Sequence, residues 1–343
     1  MELHFTRTNG KVDEAIDKLM DMVRDIPRPE IVREMILSAL KAGQEDNERA
    51  DLKLMNASLK EMRYTSKVFN QYRHVKKVTV FGSARTRPDE PAYMAARLLG
   101  RKLAEAGYMV ITGGGAGIMQ AANEGAGHDH SFGVNIRLPF EQKSNPVLHK
   151  NPRSITYKYF FNRKVAFLKE ADAVALFPGG FGTLDEAMET LTLVQTGKRN
   201  PLPILLIDEP GGTYWRKWIR FIEQELQARG YISPTDFEIF ERVDSVDEAV
   251  KIITRFYSRY HSLRYIGDRL VIRLKSILDP QRIADLRDRF SDILMPQGNM
   301  FLSSPLPEEI DEPEIDHLPR LVVHFNRKDF GKLTALIKDI NKD

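Results

Sequence analysis

The chain has 343 residues, of which 42% are hydrophobic and 29% charged, with a formal net charge of +3 and no cysteine. That length allows one large core with an appended piece. The near-neutral charge gives no global field for a nucleic-acid polymer, and the lack of cysteine excludes disulfides, cysteine–zinc sites and a thiol nucleophile, in keeping with a cytoplasmic address. No apolar run approaches the roughly 20 residues that span a bilayer. The Met1-Glu-Leu-His-Phe-Thr-Arg7 segment lacks the basic-then-apolar pattern of a secretory signal. Neither a membrane partner nor a secreted product is expected.

Residues 1–72 read as a helical N-terminal extension. Val12, Ile16, Leu19, Met20 and Val23 recur at a helical period, Pro27 and Pro29 break it, and Glu30 to Ala42 and Glu48 to Tyr72 supply two further helices. No chemistry is visible there; the expectation is a cover for the core or a subunit interface.

From 73 to 262, strands alternate with helices. Lys77 to Ala84 is a β-branched run ending in Gly82-Ser83, followed by an alanine-rich helix from Pro91 to Gly107. Tyr108 to Thr112 is the second strand, Ile118 to Ala126 a helix, Ser131 to Pro139 a third strand, 140–154 a loop, and Ile155 to Ala171 a helix. Ala173 to Phe177 is an apolar run, the pattern of a strand covered on both faces. Thr183 onward is helical, Pro203 to Asp208 a fifth strand, Tyr214 to Ala228 a helix, Phe237 to Val243 an edge strand, and Val246 to Tyr260 a helix. This rhythm means βαβ units and an α/β fold: a doubly wound, Rossmann-like parallel sheet. Residues 263–343 read as a small α+β C-terminal module of order β-α-β-β-α, of ferredoxin-like type, with a proline- and acid-rich loop from Pro305 to Pro319.

Glycine turns follow three of the strands: Gly82-Ser83, Gly113-Gly114-Gly115-Ala116-Gly117 and Gly179-Gly180-Phe181-Gly182. In an open parallel sheet these turns share the C-terminal edge, where ligands bind. The dinucleotide fingerprint and the Walker A sequence are both missing, which favours a monophosphate at one helix N-terminus. Glu186 admits two readings. Thr183-Leu-Asp-Glu186 fits a capping box, with Thr183 on an amide and Glu186 reaching back. Alternatively, Glu186 lies one turn inside a helix whose N-terminus faces the ligand, directed at a sugar rather than at the phosphate.

The nine residues Pro178-Gly179-Gly180-Phe181-Gly182-Thr183-Leu184-Asp185-Glu186 match the P-G-G-x-G-T-x-x-E motif of the Lonely Guy (LOG) family. An Arg163-Lys164 pair stands on the helix before that strand, and Gly113 to Met119 resembles a further family motif. The resemblance covers about 75 to 260. It implies a nucleoside 5′-monophosphate phosphoribohydrolase, releasing a purine or cytokinin base and ribose 5-phosphate without metal or organic cofactor. With its helical N-terminus and C-terminal module the chain resembles the larger bacterial relatives more than the compact plant type. The label "lysine decarboxylase", which the family has also carried, finds no support in the residues. The resemblance makes Arg163 and Glu186 the catalytic pair: a carboxylate stabilises oxocarbenium character on the ribose, and a guanidinium donates to the departing base or to the phosphate. Gly179, Gly180, Gly182 and Thr183 would cradle the phosphate, with Gly82, Ser83, Arg85, Gly115, Lys164 and Gln195 as further substrate-binding candidates and Arg137 as a weaker one. A homodimer or higher homo-oligomer is implied. The alternatives are a nucleotide sensor without turnover, or a carrier for a phosphorylated cofactor of the molybdenum-cofactor kind.

Overall fold

The computed structural model describes residues 7–23, 25–45, 48–138 and 144–342. Pro139, where the third strand was expected to end, residues 140–143 of the following loop and the first six residues lie outside them. The chain divides into two compact units, Met1–Tyr64 and Thr65–Asp343.

The first unit holds α1 (Lys11–Met22), α2 (Pro29–Gln44) and most of α3 (Arg49–Phe69). Ile16 and Leu37 are buried. A buried Arg33 pairs with Asp13 and, at 3.1 Å, with Asp17, so an ion pair joins α1 to α2. On α3, Leu52, Met55, Leu59 and Met62 recur at three-and-four spacing and stay exposed. Among the described residues no helix is long and apolar enough to cross a membrane.

The second unit begins with a βα series: β1 (Lys77–Phe81), α4 (Pro91–Glu105), β2 (Met109–Thr112), α5 (Ile118–Ala126), β3 (Ser131–Ile136), β4 (Ser154–Tyr157), α6 (Phe160–Lys169) and β5 (Ala173–Leu176). It continues with α7 (Phe181–Gln195), β6 (Ile204–Ile207), α8 (Tyr214–Phe221), β7 (Glu241–Val243) and α9 (Val246–Phe256). The seven strands lie in the order β4-β3-β2-β1-β5-β6-β7, every neighbouring pair parallel. Alternate side chains enter two apolar layers, as both-face burial requires. Phe81, Ile111, Phe132, Val174 and Leu176 pack with Phe167 and Trp215 on one face. Val78, Val80, Val110, Ala173 and Ala175 pack with Leu99, Ala122 and Ile253 on the other. The doubly wound α/β expectation therefore holds.

Three elements differ from the sequence reading. The helix expected from Ile155 starts at Phe160, because Ser154-Ile-Thr-Tyr157 alternates: Ile155 and Tyr157 are buried, Thr156 exposed, and the segment pairs with β3. The edge strand expected from Phe237 is confined to Glu241–Val243, since Pro234–Ile239 forms a 3-10 turn capped by Ser233. A strand, β8 (Tyr260–Ile266), begins at the last residue of the helix expected from Val246 and runs through residues for which the sequence suggests no element. Its buried residues Tyr260, Leu263 and Ile266 fall three apart, a spacing that imitates a helix, and a bulge at Tyr260/Ser262 disturbs the alternation.

β8 joins β9 (Arg269–Leu274), α10 (Pro280–Arg289), β10 (Met300–Ser303), β11 (Arg320–Val323) and α11 (Phe330–Ile340). The strands form an antiparallel sheet of order β10-β11-β9-β8. Buried under it, the Glu309 carboxylate accepts from Arg273 Nε at 2.8 Å and Arg320 Nε at 3.1 Å. Removing one partner of a buried ion pair costs about 3–5 kcal/mol, because the other charges stay buried without compensation. Glu309→Ala should accordingly lower the urea midpoint of unfolding by the equivalent of that range, and a shift smaller than about 1 kcal/mol would show the pair to be solvated.

Candidate active site

Strand order reverses between β1 and β5: the chain fills positions from β1 outward through β4, then returns to β1's other side for β5, β6 and β7. The loops leaving β1 and β5 therefore diverge to opposite faces and open a crevice at the C-terminal edge of the sheet. The Gly82 and Gly179 turns are those loops.

The turns are locked to one another. Ser83 N–H donates to Pro178 O at 3.0 Å, and Ile118 N–H donates to Ser83 O at 3.0 Å. The Tyr214 hydroxyl donates to Gly179 O at 2.6 Å. Two glycines are compelled by this packing. A Cβ on Gly179 would lie 2.2 Å from Thr183 Oγ1 and 3.0 Å from Ser83 N. Gly117 has φ +63°, and its Cβ would lie 2.2 Å from Ser83 O. A buried polar network shapes the middle turn: Thr112 Oγ1 donates to Asn123 Oδ1 at 2.7 Å and accepts from Gly114 N at 3.0 Å, while Asn145 Nδ2 donates to Asn123 Oδ1 at 3.0 Å.

Gly180 and Gly182 differ in kind. A Cβ on either would meet nothing within 4 Å, and neither has a positive φ. Nothing in the chain itself demands glycine there, whereas a ligand drawn close to the backbone would. Gly180 is the N-cap of α7, and no side chain caps the helix. Thr183 and Leu184 N–H groups turn back to Gly180 O at 3.1 Å. The earlier N–H groups of the turn have no carbonyl inside the helix to reach, an arrangement that favours negative charge at this end.

The helix start decides between the two readings of Glu186. Because α7 begins at Phe181, Thr183 is its third residue and Glu186 its sixth. The capping box does not form. Instead Glu186 is 4% exposed and lines the crevice. Its Oε2 finds no hydrogen-bond partner among the described residues, and its Oε1 lies 3.7 Å from Lys164 Nζ. Burial pushes its carboxyl up to about 7, the Glu189 and Asp185 carboxylates push the same way, and Lys164 and Arg163 counter them.

Arg163, on α6, lines the same crevice. Its guanidinium lies 4.7 Å from the Phe160 ring centroid and 5.4 Å from that of Phe167. Its buried Nε has no hydrogen-bond partner among the described residues. Burial pulls it below the ordinary arginine value, with Glu186 and Asp185 opposing.

The crevice measures about 780 Å³ and takes in Gly82, Ser83, Arg85, Gly115, Arg163, Gly180, Gly182, Thr183 and Glu186. The structure does not bring four other candidates to its lining. Gly179 lies behind the turn, against Thr183. The Lys164 ammonium is taken by Glu189 at 2.6 Å and Asp185 at 2.9 Å. Gln195 ends α7, about 21 Å along the axis from Phe181, and donates to Asp236 Oδ2 at 2.7 Å. Arg137 is exposed in the turn after β3, its N–H on Tyr157 O at 2.8 Å. Conversely, Phe81, Asn135 and Phe160 line the crevice without having been singled out, and Met119, Phe181 and Leu184 line it although the sequence marks them only as motif positions with no role. Asn135 left a trace in the sequence as a polar residue near the end of an apolar strand; its Nδ2 donates to Ser154 Oγ at 2.8 Å. The aromatics left none, because Phe160 and Phe181 read as ordinary first-turn residues.

Known proteins resemble the chain over this region. A family model described as "possible lysine decarboxylase" matches residues 104–253. Cytokinin riboside 5′-monophosphate phosphoribohydrolase LOG3 of Arabidopsis thaliana is 29% identical over 163 residues, 46% of this chain and 72% of the relative. LOG7 of the same plant is 26% identical over 51% of this chain and 79% of its own length. The probable LOG4 enzyme of Oryza sativa subsp. japonica is 29% identical over 52% and 77%. Among solved structures, TM1055, a structural-genomics protein, is 28% identical with a TM-score of 0.39, covering 53% of this chain and all but 1% of its own. The molybdenum cofactor carrier protein of Chlamydomonas reinhardtii is 18% identical with a TM-score of 0.37, covering 53% and 97%. TM-scores this low lend neither likeness any weight on function; the fold stands on the strand order above.

The two glycine types predict opposite responses. Gly179→Ala should lower the melting temperature, because Thr183 or Ser83 must move. Gly182→Ala should leave it unchanged or raise it, alanine being favoured by up to about 1 kcal/mol inside a helix. A fall of similar size in both variants would show that Gly182 is needed by the fold. Glu186 predicts a pH dependence. Its folded value is raised, so the stability that its protonated form contributes is fully present below the ordinary glutamate value and lost as pH rises through about 7. Glu186→Gln should therefore flatten the melting temperature against pH between 5 and 8 and gain on the wild type at the upper end; parallel curves would contradict the burial argument.

Proposed function

We propose that this relative of the LOG phosphoribohydrolases hydrolyses the N-glycosidic bond of a nucleoside 5′-monophosphate, a purine or cytokinin ribotide, to free base and ribose 5-phosphate. The observation that carries the reading is a buried carboxylate with one unpartnered oxygen, Glu186, in the same crevice as Arg163 and the open first turn of α7. A site that only bound a phosphate would gain nothing from burying a carboxylate there, since the charge opposes the anion and costs desolvation.

The chemistry assigns each part. The first-turn N–H groups of α7, with Gly180, Gly182 and Thr183, take the 5′-phosphate. The C1′–N bond breaks with its electron pair leaving on the base, and positive charge builds on the ribose. The Glu186 carboxylate stabilises that charge and orients the water whose oxygen bonds to C1′; the water's proton leaves through the carboxylate, and the base gains a proton from solvent. The Arg163 guanidinium, fixed between Phe160 and Phe167, donates to the base or the phosphate and remains a cation throughout. The apolar lining, Phe81, Met119 and Leu184 among it, suits a base better than a charged group. A homo-oligomer acting in the cytoplasm goes with the same reading.

Incubating the purified chain with a panel of nucleoside monophosphates, and measuring free base by chromatography, should reveal release from at least one. Glu186→Gln should cut release at least 100-fold and leave nucleotide affinity within about threefold, and release by the wild type should decline as pH falls through about 7. Tight binding of a monophosphate without release would instead make the protein a sensor or carrier.

A further inference from the structure

Three carboxylates crowd one side of α7, and a single ammonium answers them. Asp185 and Glu189 stand four residues apart, so they share a helix face, with Glu186 next to them. Lys164 Nζ lies 2.6 Å from Glu189 Oε2, 2.9 Å from Asp185 Oδ2 and 3.7 Å from Glu186 Oε1. The first two are hydrogen-bonding distances; the third is not. The lysine side chain is about one-fifth exposed, and the residue is not in the crevice lining. It therefore does not serve the phosphate role that its place beside Arg163 suggests.

The uneven sharing has a consequence. Exposed Asp185 and half-buried Glu189 are turned toward Lys164, while Glu186, buried in the crevice wall, is left with an Oε2 that has no hydrogen-bond partner among the described residues. The charged groups facing Glu186 are Arg163 and Lys164 from α6, Asp185 and Glu189 from α7, and Arg85 across the crevice from the turn after β1. Arg163 also favours the Glu186 carboxylate, but by less than Lys164 does. Lys164 is thus the group that offsets two carboxylates next to a third. Without it their repulsion would fall undiluted on Glu186 and favour its proton.

We propose that Lys164 is a positioning residue, which holds Asp185 and Glu189 as ion pairs and so leaves Glu186 free to react as a carboxylate in the crevice. This rests on reading Glu186 as the reacting group. It assigns the lysine of the Arg-Lys pair to the back of the catalytic helix rather than to the substrate.

The test compares Lys164→Met with Lys164→Arg by two readouts. One is the pH profile of base release from the monophosphate that the wild type cleaves. The other is independent of turnover: carboxyl carbon NMR titration of glutamate-labelled protein, with the Glu186 signal identified by its loss in Glu186→Gln. Lys164→Met should move the Glu186 midpoint upward by about one pH unit or more, the size that an opposite charge at this range supplies, and move the acid limb of the profile with it. Lys164→Arg should restore both to within a few tenths of a unit. If Lys164→Met does not fold, the double variant Asp185→Asn with Glu189→Gln keeps the lysine, frees it for Glu186, and should move the midpoint down. A midpoint unchanged in Lys164→Met, or unchanged in the double variant, overturns the proposal. Absence of base release with a midpoint that still shifts would leave the electrostatic role standing and overturn the hydrolase reading instead.

Discussion

The crevice depends on the pairing of β1 with β5. Thr79 sits beside Val174 and Phe81 beside Leu176 in that register, and one hydrogen bond beyond it, from Ser83 N–H to Pro178 O, carries the pairing into the two turns. Sheet order reverses at this seam, so the chain must leave β1 toward one face and β5 toward the other. The opening is a product of connectivity, not of any side chain. Once it exists, Gly117 and Gly179 let the three turns approach to backbone distance, and α7 begins at the point where its unpaired N–H groups face the gap.

α7 then sets two opposed electrostatic conditions a few residues apart. Its first turn exposes amide hydrogens that favour negative charge, a preference that fades within that turn. Glu186, in the second turn, lies beyond most of that help and is buried in a crevice that Phe81, Phe167 and Leu184 also line. Burial outweighs the nearby cations there and pushes the carboxyl up to about 7. Amide hydrogens at its tip and a buried carboxylate behind them coexist on one helix because the two are separated along the axis.

Much of this was legible in the sequence. The apolar runs at Ala173 to Phe177 and Pro203 to Asp208 have no polar face, which forces a sheet covered on both sides, and that in turn forces a crevice at the strand ends. The glycine spacing after Gly179 put Gly180, Gly182 and Thr183 at a helix start before any coordinates. Where the reading slipped, local pattern and tertiary need coincided by accident. The sequence places Tyr260 at the end of a helix and 261–266 in no element, because the buried Tyr260, Leu263 and Ile266 do not alternate: a bulge and a neighbouring sheet decide which side chains are buried. Gln195 looked like a site residue through its place after the motif, but 15 helical residues carry it to the other end of α7 and to Asp236.

What the sequence determined alone is chemical: which residue types stand at which spacing, hence the parallel sheet, the glycine turn at a helix start, and an arginine and a glutamate on neighbouring helices. It left open whether Thr183 caps the helix with Glu186 as its partner. A capping box depends on which residue is the last non-helical one, and that is fixed by how Gly179 packs against Ser83 and Tyr214, contacts from distant parts of the chain. Tertiary structure started the helix at Phe181, with Gly180 rather than Thr183 as its N-cap. That shift turned Glu186 from a cap into a buried carboxylate, and it gave Lys164 its three acidic neighbours.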